Sequence, residues 1–285
     1  MNKEITLPSW CLNIKADEYH QATKDNEFLS SHRLNTFRKC PLEYYKRITG
    51  EIVEGDTPNF IIGRATHTLI LEGEDKFAAE YTVGDGPINP KTEKPYGRET
   101  AKFKEWAEAQ TLPVIGSEDN ALMLKMRDAV LAHEKAAELL SVGKAEVTVR
   151  AEIERESVQA RLDWFDPSRD IIVDLKTCND LDRFTYDIRD FGYIHQLAFY
   201  ALAVRNARVA AGDGDDAIPS CWLIAVEKRE PFRVAVYHIT AYTVEDALNG
   251  QGGKLGLGIV PAIRELRDCR VRNYWPTRFE GFGEI

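Results

Sequence analysis

Arg161-Leu162-Asp163 and Asp174-Leu175-Lys176-Thr177, joined across the turn Asp166-Pro167-Ser168-Arg169, are the stretch on which the reading of this chain turns. Both runs alternate in a way that predicts strands, and Asp-Pro-Ser between them is turn chemistry. On the second strand Asp174 and Lys176 share one face, while Ile171, Val173 and Leu175 take the other. On the first, the same alternation groups Arg161 with Asp163 and sets Leu162 and Trp164 opposite. A turn centred on 168–169 pairs Asp166 with Ile171 and brings Asp163 opposite Asp174, with Cβ atoms about 5 Å apart. Two carboxylates that close repel each other unless a proton or a cation is shared. A hard divalent cation resolves the conflict, and magnesium usually keeps waters for chemistry. Lys176, one pleat beyond, is placed to steady charge on a phosphate or to help activate a water. An Asp and a Lys alternating on a strand are more commonly a solvated edge. The apolar run Ile171-Ile172-Val173 just before Asp174 argues instead for a central strand.

Outward from this hairpin, the strands predicted at 145–154, 158–165 and 170–177 form a meander. A long helix at 190–211, strands at 219–227 and 232–239, and a helix near 243–249 follow. Upstream, Ser30 or Ser31 caps a helix over 30–49 that Pro41 kinks or breaks. Further helices are expected at 59–72, 99–110 and 118–140, and 84–98 is a Pro/Gly-rich loop. A basic helix at about 259–272 closes the tail. This order predicts an α/β fold with a mixed central sheet flanked by helices. We expect one domain over 1–285: a helical part at about 30–140, a sheet-and-helix core at about 144–240, and a basic helical tail at about 243–285.

The motifs together resemble a known family. Asp163 with Asp174-x-Lys176 is similar to the core of PD-(D/E)xK nucleases, and more narrowly to the exodeoxyribonuclease VIII (RecE-type) members of the RecB-like group found in phages and prophages. SHRLNTFRKCPLEYY (31–45), Gly63-Arg64-Ala65-Thr66-His67 with LILEG (69–73), and Tyr193-x-x-Gln196-x-x-x-Tyr200 resemble further elements of that family, in the same order. The resemblance implies that His67, Asp163 and Asp174 hold a metal and that Lys176 is the catalytic lysine. It also implies that Gln196 and Tyr200, on one helix face at i and i+4, border the active site. Glu146 resembles an acidic position on the first meander strand, whereas Glu152 reads as a solvated strand residue. The implied cofactor is Mg2+, for which Mn2+ substitutes. Some relatives carry a four-cysteine iron–sulfur cluster. Cys40 fits its first position, but Cys269 alone lies near the C-terminus, so no cluster is expected.

The activity implied is a double-strand-end exonuclease running 5′ to 3′. It would leave 3′ single strands for an annealing protein that promotes recombination, and the enzyme would be a homo-oligomer of the ring kind. A restriction-like or structure-specific endonuclease is the alternative on the same fold. A non-catalytic DNA-end-binding scaffold is the third reading. Arg33, Arg38, Lys39, Arg161, Arg264, Arg267 and Arg270 are candidate DNA contacts. The net charge of −9 over 285 residues lowers the expectation of DNA binding, although a basic path can run through an acidic body. The five cysteines are scattered and odd in number, which argues against a disulfide framework and a zinc site. No apolar run reaches membrane-spanning length and no secretory pattern opens the chain, so a cytoplasmic protein with no membrane partner is expected.

Overall fold

The computed structural model describes residues 6–53, 58–214, 216–253 and 255–280. The two ends of the expected domain, 1–5 and 281–285, lie outside the described residues. A six-stranded mixed sheet runs through the centre. Its strands, in spatial as well as chain order, are β1 (Cys11–Leu12), β2 (Lys144–Ile153), β3 (Glu156–Asp166), β4 (Ile171–Cys178), β5 (Ser220–Glu227) and β6 (Val234–Ile239). All neighbours are antiparallel except β4 and β5, which are parallel. A parallel pair needs a crossover, and the longest helix of the chain supplies it.

Helices cover both faces. In chain order the ones that matter for the site are α1 (Ala16–Lys24), α2 (Ser31–Lys39), α3 (Pro41–Ile48), α4 (Pro58–His67), α5 (Ser117–Ala132), α6 (Phe184–Asp190), α7 (Tyr193–Ala210) and α8 (Ile259–Arg272). The predicted helix at 30–49 is two helices. Ser30 caps α2 through Arg33 N, and Cys40, extended, caps α3 with Pro41 at its first position. Proline is tolerated there because its missing N–H would have no helical partner. The long helix expected at 190–211 is α7, unbroken, and the shorter α6 precedes it across a turn at Phe191 and Gly192.

Two cores flank the sheet. Buried Leu197, Ala201 and Val204 of α7 pack with Val147, Leu162, Ile172 and Leu223. On the opposite face Leu69, Met123, Met126 and Val130 pack with Trp164, Val173, Leu175 and Ile224. The expected grouping on β4 is found, since Ile171, Val173 and Leu175 all join the second core.

The grouping on β3 needs correction. Leu162 and Trp164 were expected on one face, yet they belong to opposite cores. The partner strand breaks at the same level, with Val147 beside Leu162 and Ala145 beside Trp164. Between Ala145 and Val147 the backbone of Glu146 is left-handed, at φ 58°. A left-handed residue in a strand turns its neighbours out of strict alternation without changing the count of residues. The registers Ala145↔Trp164 and Val147↔Leu162 are indeed continuous. This local twist lies at Glu146 and Asp163.

Candidate active site

The hairpin turn delivers β3 and β4 in the predicted register, with Asp166 opposite Ile171. Asp166 fixes that turn by accepting from Ser168 N at 2.9 Å, Ser168 Oγ at 2.6 Å and Arg169 N at 3.2 Å. The ladder then ends at Trp164↔Val173. Asp163 and Asp174 are therefore the first residues past the last paired step, where the strands part. β4 stays paired with β5 over its whole length, so only its β3 side opens. There the amide of Leu175 donates to Asp163 Oδ2 at 2.9 Å. A carboxylate thus takes the place of a strand carbonyl.

His67 reaches the same point from the end of α4. Its Nδ1 lies 3.7 Å from Asp163 Oδ2. The chain passes directly from His67 into a π-helical turn over Thr68–Glu72, a distortion often met at functional sites. Buried Leu69, Ile70 and Leu71 anchor that turn in the second core. Burial and the Lys176 charge push the His67 imidazole down to about 4, so it is neutral at neutral pH, the form in which histidine binds a metal.

The acids move the other way. Burial raises Asp174 to about 6, with Asp163 adding to the rise and Lys176 opposing it. Burial and the Asp163 charge raise Glu146 to about 7, against the Arg161 guanidinium that bonds it. Asp163 is also raised by burial, although Lys176 and the Leu175 amide favour its charged form. Burial works against the Lys176 ammonium, but Asp174 and Asp163 outweigh it and hold the lysine protonated. Lys176 Nζ lies 2.6 Å from Asp174 Oδ2 and 5.0 Å from the Tyr193 ring centroid.

These residues suit a hard divalent cation by their chemistry: the buried Asp174 carboxylate, the partly buried Asp163 carboxylate and a neutral imidazole. Asp174 supplies the sharpest observation: Lys176 Nζ stands at its Oδ2, while its equally buried Oδ1 has no hydrogen-bond partner. A buried charged oxygen left in that state is costly unless a cation completes it. Among the described residues no group of three or more His, Cys, Asp or Glu side chains is already gathered into a metal cage.

The helix residues lie beside this cluster. Gln196 Nε2 donates to Tyr200 Oη at 2.8 Å. Tyr200 is buried, and burial, with Tyr19, Asp174 and Asp163 adding, keeps its phenol firmly protonated. Two neighbours of the cluster carry no role in the sequence motifs. Tyr193 lies on the Gln196–Tyr200 face at i−3 and supplies the ring over Lys176. Tyr19, from a helix that no motif marks, influences Tyr200 from α1.

The expected DNA contacts are otherwise engaged. Arg33 bonds Asn26, and Arg38 bonds Leu255 O, Leu257 O, Asn35 and His195. Lys39 donates to Asp190 O at 2.8 Å. Arg161 serves Glu146, Ile14 O and Thr148. Arg264 and Arg267 bond Glu154, and Arg270 bonds Glu156 and Tyr44. Much of this basic surface thus pins α2 and α8 to their surroundings. Cys40 caps α3 and Cys269 is buried. Among the described residues no helix is long and apolar enough to cross a membrane.

Residues 30–277 match the family model described as PDDEXK-like domain of unknown function (DUF3799). No curated protein matches the chain. Among solved structures, the fold is similar to that of a "Putative exonuclease" from Eubacterium rectale, at 16% identity and TM-score 0.61 over 96% of each chain. A phage related exonuclease from Haemophilus somnus overlaps at 14% identity and TM-score 0.35, over 86% of this chain and 96% of that one, too loosely to carry an argument. A mixed sheet opening at Asp163 and Asp174 beside Lys176, in a chain matched from 30 to 277, identifies a member of the PDDEXK-like domain family, with the fold of a PD-(D/E)xK nuclease.

Proposed function

We propose that this nuclease is a Mg2+-dependent exodeoxyribonuclease acting at double-stranded DNA ends, of the exodeoxyribonuclease VIII kind. The observation that carries the reading is the parted hairpin, where buried Asp174 pairs with Lys176 through Oδ2, feels the Asp163 charge, and has no partner for Oδ1. The name of the Eubacterium rectale protein supports the exonuclease side of it. His67, Asp163 and Asp174 would hold the cation, with Glu146 as a further acid. When bound, the cation supplies a Lewis acid for the phosphate and lowers the pKa of a water.

The chain's own residues supply the rest. Lys176 keeps its proton and presents positive charge where a phosphate gathers negative charge. The Tyr193 ring and the Asp174 carboxylate fix where that ammonium points. Tyr200, firmly protonated and tied to Gln196, is a hydrogen-bond donor that does not ionise at working pH. Digestion is proposed to run 5′ to 3′, leaving 3′ single strands for an annealing protein, with the enzyme a homo-oligomer, ring-like in the manner of its resembled family.

Linear duplex labelled separately at its 5′ and 3′ ends, together with closed circular duplex, tests this with Mg2+ present. Early release of the 5′ label and an intact circle are expected. Cleavage of the circle would replace the exonuclease reading with an endonuclease. Equal activity of Asp174→Ala and the unaltered protein would remove the metal assignment, and binding without cleavage of either DNA would favour the scaffold reading.

A further inference from the structure

Phe191 stands in the turn between α6 and α7 with 58% of its surface exposed. One face of its ring stacks on Tyr193, with centroids 5.7 Å apart and planes 26° from parallel. Tyr193 in turn lies 5.0 Å from Lys176 Nζ. Two ring-sized steps thus lead from the lysine of the site to an aromatic surface open to solvent.

The turn is held firmly. Asn35 Nδ2 donates to Phe191 O at 3.1 Å and Lys39 Nζ to Asp190 O at 2.8 Å, both from α2. Gly192 is left-handed at φ 73°, and a Cβ there would meet Asn35 Oδ1 at 2.8 Å. A lone exposed ring is ordinary on a protein surface; Phe191 is set apart by its pinned backbone and by stacking on the ring that lies over Lys176. Its neighbourhood mixes signs: Lys39 and Arg189 bring positive charges, Asp187 and Asp190 negative ones. A purely electrostatic DNA contact is therefore poorly served, whereas a stacked base, which offers a neutral π-face, is well served.

We infer that Phe191, backed by Tyr193, is a stacking platform for an unpaired nucleobase of the strand whose phosphate lies at Lys176. The inference rests on the nuclease reading and deepens it: the strand enters the site frayed from its partner, and the platform holds a base near the scissile phosphate. Phe191 acts by positioning the strand.

The test has a binding arm that needs no turnover. A single-stranded oligonucleotide carrying 2-aminopurine is mixed with the protein in EDTA, and stacking on a ring quenches its fluorescence. Quenching is expected with the unaltered protein and with Phe191→Trp, and its loss with Phe191→Ala. The second arm measures kcat/KM with Mg2+ on linear duplexes having a single abasic nucleotide at successive positions from the 5′ end. One position should cost the unaltered protein about tenfold and cost Phe191→Ala nothing further. Quenching that persists in Phe191→Ala, or an abasic penalty undiminished in it, overturns the platform. Failure of every DNA to be cleaved overturns the nuclease reading instead, and the quenching arm still decides the platform. Phe191 is exposed, and equal melting temperatures of the variants exclude loss of folding.

Discussion

Asp163 Oδ2 accepts the backbone amide of Leu175 at 2.9 Å, at the point where the two strands that carry these residues stop pairing with each other. One carboxylate thereby closes a strand edge and stays in the acid cluster. The amide would otherwise be a buried donor facing a gap. Truncating a partner so that such a donor goes unsatisfied typically costs about 1–3 kcal/mol.

The two functions of Asp163 can be separated. Asp163→Asn retains an oxygen for the Leu175 amide and removes a charge that burial disfavours. It should unfold in urea at the same midpoint as the unaltered protein or a higher one, while losing nuclease activity. Asp163→Ala should lose activity too, and in addition about 1–3 kcal/mol of stability through the stranded amide. Equal stability of the two variants would show that the amide finds another acceptor.

Metal binding should register in stability before any DNA is added. A cation that binds the folded chain alone stabilises it by mass action, by about 2.7 kcal/mol at a hundredfold excess over Kd. Added Mg2+ should therefore raise the melting temperature of the unaltered protein, and EDTA should reverse the rise. Asp174→Ala should melt at a temperature indifferent to Mg2+. A Mg2+-dependent rise that survives in Asp174→Ala and in His67→Ala would place the cation elsewhere.

How much of this could be read from the residues depends on range. Asp166 opposite Ile171 followed from a symmetric four-residue turn, and the β4 faces followed from period-two alternation, because both are local. The break at Glu146 did not follow. Its left-handed backbone goes with a switch of faces on β2 and β3 at the same level, and no single-strand pattern encodes that. Likewise α2 and α8 read as basic faces, but Arg38, Arg264 and Arg270 take partners far along the chain. His67, Asp163, Asp174 and Lys176 do converge, from positions more than a hundred residues apart. Asp163, Asp174 and Lys176 follow from the hairpin register alone, whereas the arrival of His67 from about a hundred residues upstream is legible only through the family resemblance.

His195 gives a pH dependence away from the metal cluster. It is 5% exposed, and its Nε2 lies 2.6 Å from Arg38 Nη2. Burial first, and the Arg38 charge second, push it down to about 3. Between pH 3 and 6.5 the unfolded chain therefore binds a proton here that the folded chain does not, and stability rises with pH across that window. The stabilisation lost on acidification is about 2 kcal/mol at pH 5, at roughly 1.4 kcal/mol per unit. His195→Gln keeps an acceptor for Arg38 and does not titrate. Urea unfolding at pH 5 and pH 7.5 should show a gap smaller by about 2 kcal/mol in the variant. An unchanged gap would mean that Arg38 and His195 separate before the imidazole takes up its proton.

Gly192 connects the fold to the site most directly, because α7 begins at Tyr193 and carries Gln196 and Tyr200 behind it. Two separate penalties meet there. A side chain in left-handed backbone costs on the order of 1 kcal/mol, and the new Cβ would stand 2.8 Å from Asn35 Oδ1. Gly192→Ala should thus destabilise the chain by about 1–3 kcal/mol. If α7 tilts to relieve the contact, the Tyr193 ring moves off Lys176, and kcat should fall by more than the loss of folded protein explains. Asn35→Ala placed beside Gly192→Ala removes the steric contact and leaves the backbone strain. The double variant should recover kcat while regaining only part of the stability, a split that urea titration and initial rates on linear duplex measure together. Recovery of neither would show that the Asn35–Phe191 bond, lost in the double variant, is what holds the turn.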